Sequence, residues 1–564
     1  MASERIALTS IASLNSETDL EGLISELKEG SHGLNRMSLS DKADLIDACA
    51  ANIPRVSKSW VELACEAKQI SNEGPITSEE ILVGPASLLR YLRLLSKTLR
   101  DVARFGRPQL PSKPKQNTLG RTCVPILPVR NLHDSLVFMG LKADIWLQPG
   151  APIEFSNLNS NDQTNVRVAG ILGAGNVAAI PATDMLYKIF HDHETVLLKL
   201  NPVNDYIESV FDQIFRPLID LSLLRMIRGG SEVGKAIVDH SEISSLHITG
   251  SHLTHDMIVW GADLEERQLR MDRQEPLVNK PITSELGNVT PWIIVPGKYS
   301  SAQLKSQAEH VAASITNNAS FNCLATKMLV TSKDWPQRKE FLDLLDSSLE
   351  KTPARVAYYP GAHQRFEKAT GKARPDCKGN TLPWTLIRDA SLTDSPHLFK
   401  EESFTCVCAE TAIKAEDDLA FLKQAVEFVN QNLFGTLCAS VTIPDGFQKK
   451  HTTELESAIA DLRYGSVSIN QWSGVVYGLM TPPWGGHPSS TIASPESGIG
   501  HVHNTFCLKS VEKTVLWGPL VNFPKPVWFS SHKTANRVGW SLLRLYERPS
   551  LFRLPSLFYH ALRG

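Results

Sequence analysis

No run in this 564-residue sequence is long and apolar enough to cross a membrane. Its opening, MASERIALTS, carries charge where a signal peptide needs an apolar core, so none is expected. Cysteine is sparse: nine residues, an odd number, with no Cys-x-x-Cys pair and no Cys/His zinc spacing. That excludes a disulfide scaffold and a zinc finger, and it points to reduced thiols in the cytoplasm with no metal. Cys406-x-Cys408 is too close for a finger and reads as strand. Charge of either sign is not in excess, with 58 Lys and Arg against 60 Asp and Glu, so no overall field recruits nucleic acid. What is present is an ordinary globular composition, 42% hydrophobic and 21% charged. The length calls for two or three domains.

The first hundred residues carry helical spacing, as in Leu20, Leu23, Ile24 and Leu27. RPQLPSKPKQN, after Phe105-Gly106, is a polar, proline-rich connection. From 166 to 250 the pattern alternates. VRVAGIL, TVLLKL, LLRMIRGG and ISSLHI read as strands, separated by helical segments. Alternation of this kind predicts a doubly wound α/β unit with a parallel sheet. Such sheets bind ligands beyond the carboxyl ends of their strands. Asn176, Lys199, Gly229, Gly230, Gly250 and Ser251 fall there, a small and cationic set that suits a phosphorylated ligand. Each glycine alone is equally a turn residue. A second α/β unit follows, and Cys323 lies in it on a polar loop, NNASFNCLATK, between a helix end and a strand.

Three blocks need one explanation: GAGNVAAIP at 173–181, SELGN at 284–288 and SFNCLATK at 320–327. With VLLKLNP, HITGS, EESFTCV, GSVSINQ and PPWGGHPSS, in this order over about residues 20–510, they resemble the aldehyde dehydrogenase superfamily. The resemblance implies Cys323 as nucleophile, Glu285 as general base and Asn176 as an oxyanion donor beside the Cys323 backbone N–H. It also implies cofactor contacts from Lys199 and Glu402 to ribose, from Gly250 and Ser251 near the pyrophosphate, and from Gly230 and Phe404. NAD or NADP is the implied cofactor, a small aldehyde the substrate, and a homo-oligomer the assembly.

Other readings of the same residues stay open. Asn176 could cap the helix that follows it. Lys199 could be a surface lysine. Glu402, beside Glu401, could belong to a solvated face. An isolated cysteine is often just a small buried residue.

The chain departs from the family in places. Ser320-Phe321 replaces Gly-Gln before the cysteine, Thr405-Cys406 replaces Gly-Pro, and Ala174-Gly175 replaces Pro-Trp. Met328 stands where an arginine is frequent. Pro202 stands where a glutamate often accepts from the adenosine ribose, which admits NADP as well as NAD.

The expected architecture is aldehyde-dehydrogenase-like. Residues 1–137 and 165–285 form a doubly wound cofactor domain, and 286–470 an α/β catalytic domain. An oligomerisation element takes 138–164, as a hairpin, and 500–520. Residues 521–564 are a basic, aromatic extension, for which packing within the protein is favoured over contact with a membrane. The expected reaction is NAD(P)-dependent oxidation of an aldehyde through a cysteine thioester. The alternatives are transfer of the acyl group to CoA and a non-catalytic dinucleotide-binding relative.

Overall fold

The computed structural model describes residues 17–128, 132–158, 165–372 and 379–564. Two sheets organise it. The first has five parallel strands, in the order Leu224–Ile227, Thr195–Lys199, Val168–Leu172, Ser245–Thr249 and Ile282–Glu285. Its strands VAGIL and TVLLK are apolar on both faces because helices cover both, among them Ile180–Phe190 and Ser231–Asp239. The chain runs outward from Val168–Leu172 in one direction, then returns to place Ser245–Thr249 on the other side. The order therefore reverses between these two strands, and a crevice opens beyond their carboxyl ends. Gly173–Asn176 leaves one of these ends and Gly250-Ser251 the other.

After Glu285 the chain crosses to a ten-stranded sheet. Seven of its strands run in parallel ladders from Val511–Trp517 through Pro291–Ile294 to Thr385–Ile387. The Cys323 loop enters this sheet at the start of Met328–Ser332. Glu285, at the end of a strand in one sheet, thus meets Cys323, just before a strand in the other.

In the region expected to form an oligomerisation hairpin, the described residues include the strand Lys142–Leu147. Pro149 and Pro152 follow the Lys142–Leu147 strand at once, and proline cannot donate to a ladder. That strand pairs instead with Thr122–Leu127 and with Val511–Trp517, both antiparallel. Val511–Trp517 in turn lies parallel to Ser466–Ile469 of the same chain. Positions 159–164 of the expected hairpin lie outside the described residues.

At the amino-terminal end, helices Leu39–Ala67 and Ser87–Phe105 share one apolar core. The Ser38–Asp41 capping box starts the first of them. The extension after 521 packs back on the protein: helix Ala535–Glu547 lies against Thr77–Ile81, and the Trp528 indole donates to His310 Nε2 at 3.2 Å.

Candidate active site

A cavity of about 1170 Å³ occupies the crevice. Asn176, Lys199, Gly230, Gly250, Ser251, Glu285, Cys323, Glu402 and Phe404 all line it. These nine positions therefore border one space, whereas Gly229 is not among its lining residues.

At its inner end the Cys323 thiol donates to Glu285 Oε1 at 3.6 Å. Every other cysteine among the described residues is buried; Cys323 alone is partly accessible. Thr290 Oγ1 donates to the Cys323 carbonyl at 2.8 Å and fixes the loop to the crossing segment. Burial pushes the thiol well above its ordinary range, and the carboxylates of Glu285 and Glu402 add to the effect. Burial also raises Glu285 to about 7, with the charge of Asp184 as the second cause. Asp184 is placed by Thr249, whose hydroxyl donates to its Oδ2 at 2.8 Å. Thr249 is the ladder partner of Glu285. The pair at rest is thus a thiol beside a carboxyl that titrates near neutrality, a setting for proton transfer.

Asn176 does not cap the following helix: Ala179 is at the cap position of Ile180–Phe190. The Asn176 side-chain amide donates to the Phe321 carbonyl at 3.1 Å. An amide NH₂ has two hydrogens, so one remains for the cavity. The Asn176 backbone carbonyl accepts from Asn318 Nδ2 at 3.0 Å and from the Tyr358 hydroxyl at 3.2 Å.

The loop before Cys323 is strained. Asn318, Ala319 and Ser320 lie in succession at φ of +52°, +54° and +67°, and none is glycine. Partners hold each end. Lys68 Nζ donates to Asn318 Oδ1 at 2.9 Å while paired with Glu80 at 2.8 Å. Lys327 Nζ donates to the Ser320 carbonyl at 3.1 Å, to Ser320 Oγ at 2.7 Å and to the Thr405 carbonyl at 2.7 Å. Burial lowers the Lys327 amine from its ordinary range.

At the outer end, Lys199 Nζ has a single weak acceptor, the Leu200 carbonyl at 3.5 Å. Burial lowers this amine too. Gly250 leaves open space where a side chain would begin. Helix His252–Trp260 starts at Ser251, whose hydroxyl accepts from Thr254 N–H. Gly230 N–H is taken by Glu232 Oε1 at 2.9 Å.

Glu401 and Glu402 part company. Glu401 is exposed and bonds Lys368, whereas Glu402 turns inward with Oε1 buried and unpartnered. A side chain at Gly287 would come within 2.3 Å of Glu402 Oε2, so glycine there makes room for the carboxylate. Phe404 packs its ring on Tyr359, with centroids 5.0 Å apart.

An amine short of acceptors, a carboxylate short of a donor and an open glycine form a set that fits a ligand bearing ribose hydroxyls and phosphate. Asn318, Tyr358, Lys327, Asp184 and Glu232 were not among the residues picked from the sequence. Only the adjacency of Asn318 and Lys327 to Cys323 could have flagged any of them.

Residues 195–356 match the model of the aldehyde dehydrogenase family. A curated relative, aldehyde dehydrogenase LUC3 of Fusarium sp., is 26% identical over 193 residues. That alignment spans 34% of this chain and 38% of the relative. Among solved structures, glyceraldehyde-3-phosphate dehydrogenase GapN of Methanocaldococcus jannaschii, complexed with NADP, superposes with a TM-score of 0.60 at 13% identity. The match covers 91% of this chain and 97% of that one. Aldehyde dehydrogenase 21 of Physcomitrella patens, in complex with succinate, gives 0.60 at 13% identity over 89% and 90%. The NAD-dependent aldehyde dehydrogenase of Sinorhizobium meliloti gives 0.59 at 15% identity over 91% and 88%. These structural likenesses establish the fold.

Proposed function

We propose that the chain is a member of the aldehyde dehydrogenase superfamily that oxidises an aldehyde to a carboxylic acid with NAD or NADP as electron acceptor. The observation that carries the reading is the 3.6 Å contact of the Cys323 thiol with Glu285, inside the cavity that also holds Lys199 and Glu402.

Glu285 takes the thiol proton as sulfur attacks the carbonyl carbon. The carbonyl oxygen gains negative charge and is met by the free Asn176 amide hydrogen and the Cys323 backbone N–H. One such donor is worth about 3–4 kcal/mol. Lys199 and Glu402 would hold the ribose hydroxyls of the cofactor, and Gly250 and Ser251 would leave room for its pyrophosphate. The nicotinamide ring, when bound, supplies the acceptor for the hydride lost by the sulfur-bearing carbon. Glu285 releases the thiol's proton to solvent and then accepts one from the water that attacks the remaining thioester. The acid leaves, and Cys323 regains its proton. The closeness of Glu285 to sulfur supports water rather than CoA as acyl acceptor.

The homo-oligomer implied by the resemblance is not required to complete the large sheet, because Val511–Trp517 already pairs with Ser466–Ile469 within the chain.

The test is an aldehyde panel assayed with NAD and NADP separately, each with and without CoA. Expected is acid formation without CoA, lost in Cys323→Ser and reduced more than a hundredfold in Glu285→Gln. Acyl transfer that needs CoA would overturn the hydrolytic reading. Full turnover by Cys323→Ser would overturn the mechanism.

A further inference from the structure

The extension after 521 divides its aromatic residues between two destinations. Phe529 and Tyr546 are buried, and Trp528 bonds His310. Phe552, Tyr559, Leu551 and Leu562 are left outside, Phe552 at 95% exposure.

These outer residues are ordered on one face. Helix Leu554–Ala561 buries Leu554 and Leu557 against Val538 and Leu545 of Ala535–Glu547. Phe552, Pro555, Tyr559 and Leu562 follow one another at intervals of three and four, so they form a second apolar stripe on the side facing away. A helix that is apolar on both sides is normally covered on both.

The neighbouring helix supplies charge. Arg537, Arg544 and Arg548 are spaced by seven and four, on one face of Ala535–Glu547 and its end, and all are exposed. Arg537 and Arg563 both act on His560, and the Arg553 guanidinium bonds the Arg544 carbonyl. The basic face therefore borders the apolar stripe. Arg563 caps that stripe, 5.2 Å over the Tyr559 ring. Only one acid, Glu547, lies in the whole extension, paired with Arg553 at 3.3 Å and with Arg548 at 3.9 Å.

We infer that the face made by Phe552, Tyr559 and Leu562 with Arg537, Arg544 and Arg548 docks the protein on an anionic lipid bilayer surface. The chemistry is that of an interfacial helix: aromatic and aliphatic side chains enter the headgroup boundary while arginines meet lipid phosphates and carboxylates. A bilayer is favoured over a second copy of the chain because the charge is of one sign. Two such faces brought together would repel. No helix among the described residues is long and apolar enough to span a membrane, so attachment is peripheral and sensitive to salt.

The experiment is flotation of the full chain with vesicles of phosphatidylcholine containing 30% phosphatidylserine, and with phosphatidylcholine alone. Expected is co-flotation with the anionic vesicles only, lost at high salt. It should fall at least fivefold in Phe552→Ser/Tyr559→Ser and in Arg537→Glu/Arg544→Glu. All of these side chains are exposed, so both variants should fold, which circular dichroism checks. A wild-type chain that stays in solution with anionic vesicles overturns the proposal. So does flotation unchanged by both variants. A concentration-dependent dimer that Phe552→Ser/Tyr559→Ser dissolves, without vesicle binding, would make the face a contact between copies and overturn it as well.

Discussion

Cys323 Sγ and Glu285 Oε1 stand 3.6 Å apart although the two residues belong to different sheets. Glu285 closes the strand Ile282–Glu285, and Cys323 precedes the strand Met328–Ser332. The segment that crosses from Glu285 to the strand Pro291–Ile294 is short, and Thr290 ties it to the Cys323 carbonyl. Neither sheet alone holds a nucleophile and its base.

The titration of Glu285 sets the pH behaviour. A base works in its deprotonated form, so turnover should rise with pH through about 7 and level off above it. In Glu285→Gln this limb should vanish along with most of the activity. A pH–rate profile measured on both proteins checks it.

The same shift predicts an effect on stability. The folded-state value, about 7, lies above the ordinary 4.5, so the folded protein holds a proton that the unfolded chain releases. Stability on this account is fully present below the ordinary value and falls as pH rises through about 7. The loss approaches about 3 kcal/mol, at about 1.4 kcal/mol per pH unit. Glu285→Gln should therefore unfold at a higher temperature than the wild type at pH 8, with the gap closing at pH 5. Thermal unfolding at the two pH values measures it.

Lys327 should matter out of proportion to its distance from the chemistry. Replacement by Met leaves the Ser320 carbonyl without the lysine donor, leaves the Thr405 carbonyl only the Val407 N–H, and releases the left-handed turn that presents Cys323. A lost partner for a buried group costs about 1–3 kcal/mol. Lys327→Met should lower stability by about 1–3 kcal/mol in urea unfolding. It should also lower kcat more than tenfold, with a much smaller change in the KM for the cofactor.

Glu232 bears on the choice between the two cofactors. Pro202 leaves no carboxylate at the position where the family often has one. The structure places another at the cavity, on the Gly230 N–H and within the field of Lys199. A negative charge there repels a 2′-phosphate. Glu232→Gln should raise kcat/KM for NADP relative to NAD severalfold, as read from steady-state rates with each cofactor.

How much the sequence disclosed depended on how locally each feature is encoded. Cys323, Glu285 and Asn176 sit in short blocks, and strand alternation placed Lys199 and Gly250 at strand ends. The supports of these residues are not local. Lys68 reaches Asn318 across 250 positions, and Lys327 reaches Thr405 across 78. No periodicity records such pairings. The Thr122–Leu127 partner of Lys142–Leu147 was hidden by Pro125, which breaks the strand pattern. The carboxyl-terminal extension was read as one basic, aromatic unit because composition does not separate an inward from an outward face. Helix spacing does so only once the packing of Leu554 and Leu557 is known.

The most direct test of the central claim is a covalent one. The protein, turned over with an aldehyde and its cofactor, is quenched in acid and mapped by peptide mass spectrometry. The account predicts an acyl group on Cys323, present in Glu285→Gln at higher occupancy because hydrolysis is slowed, and absent in Cys323→Ser. Turnover with no acyl group on Cys323 in either protein, or with the group on another cysteine, would contradict it.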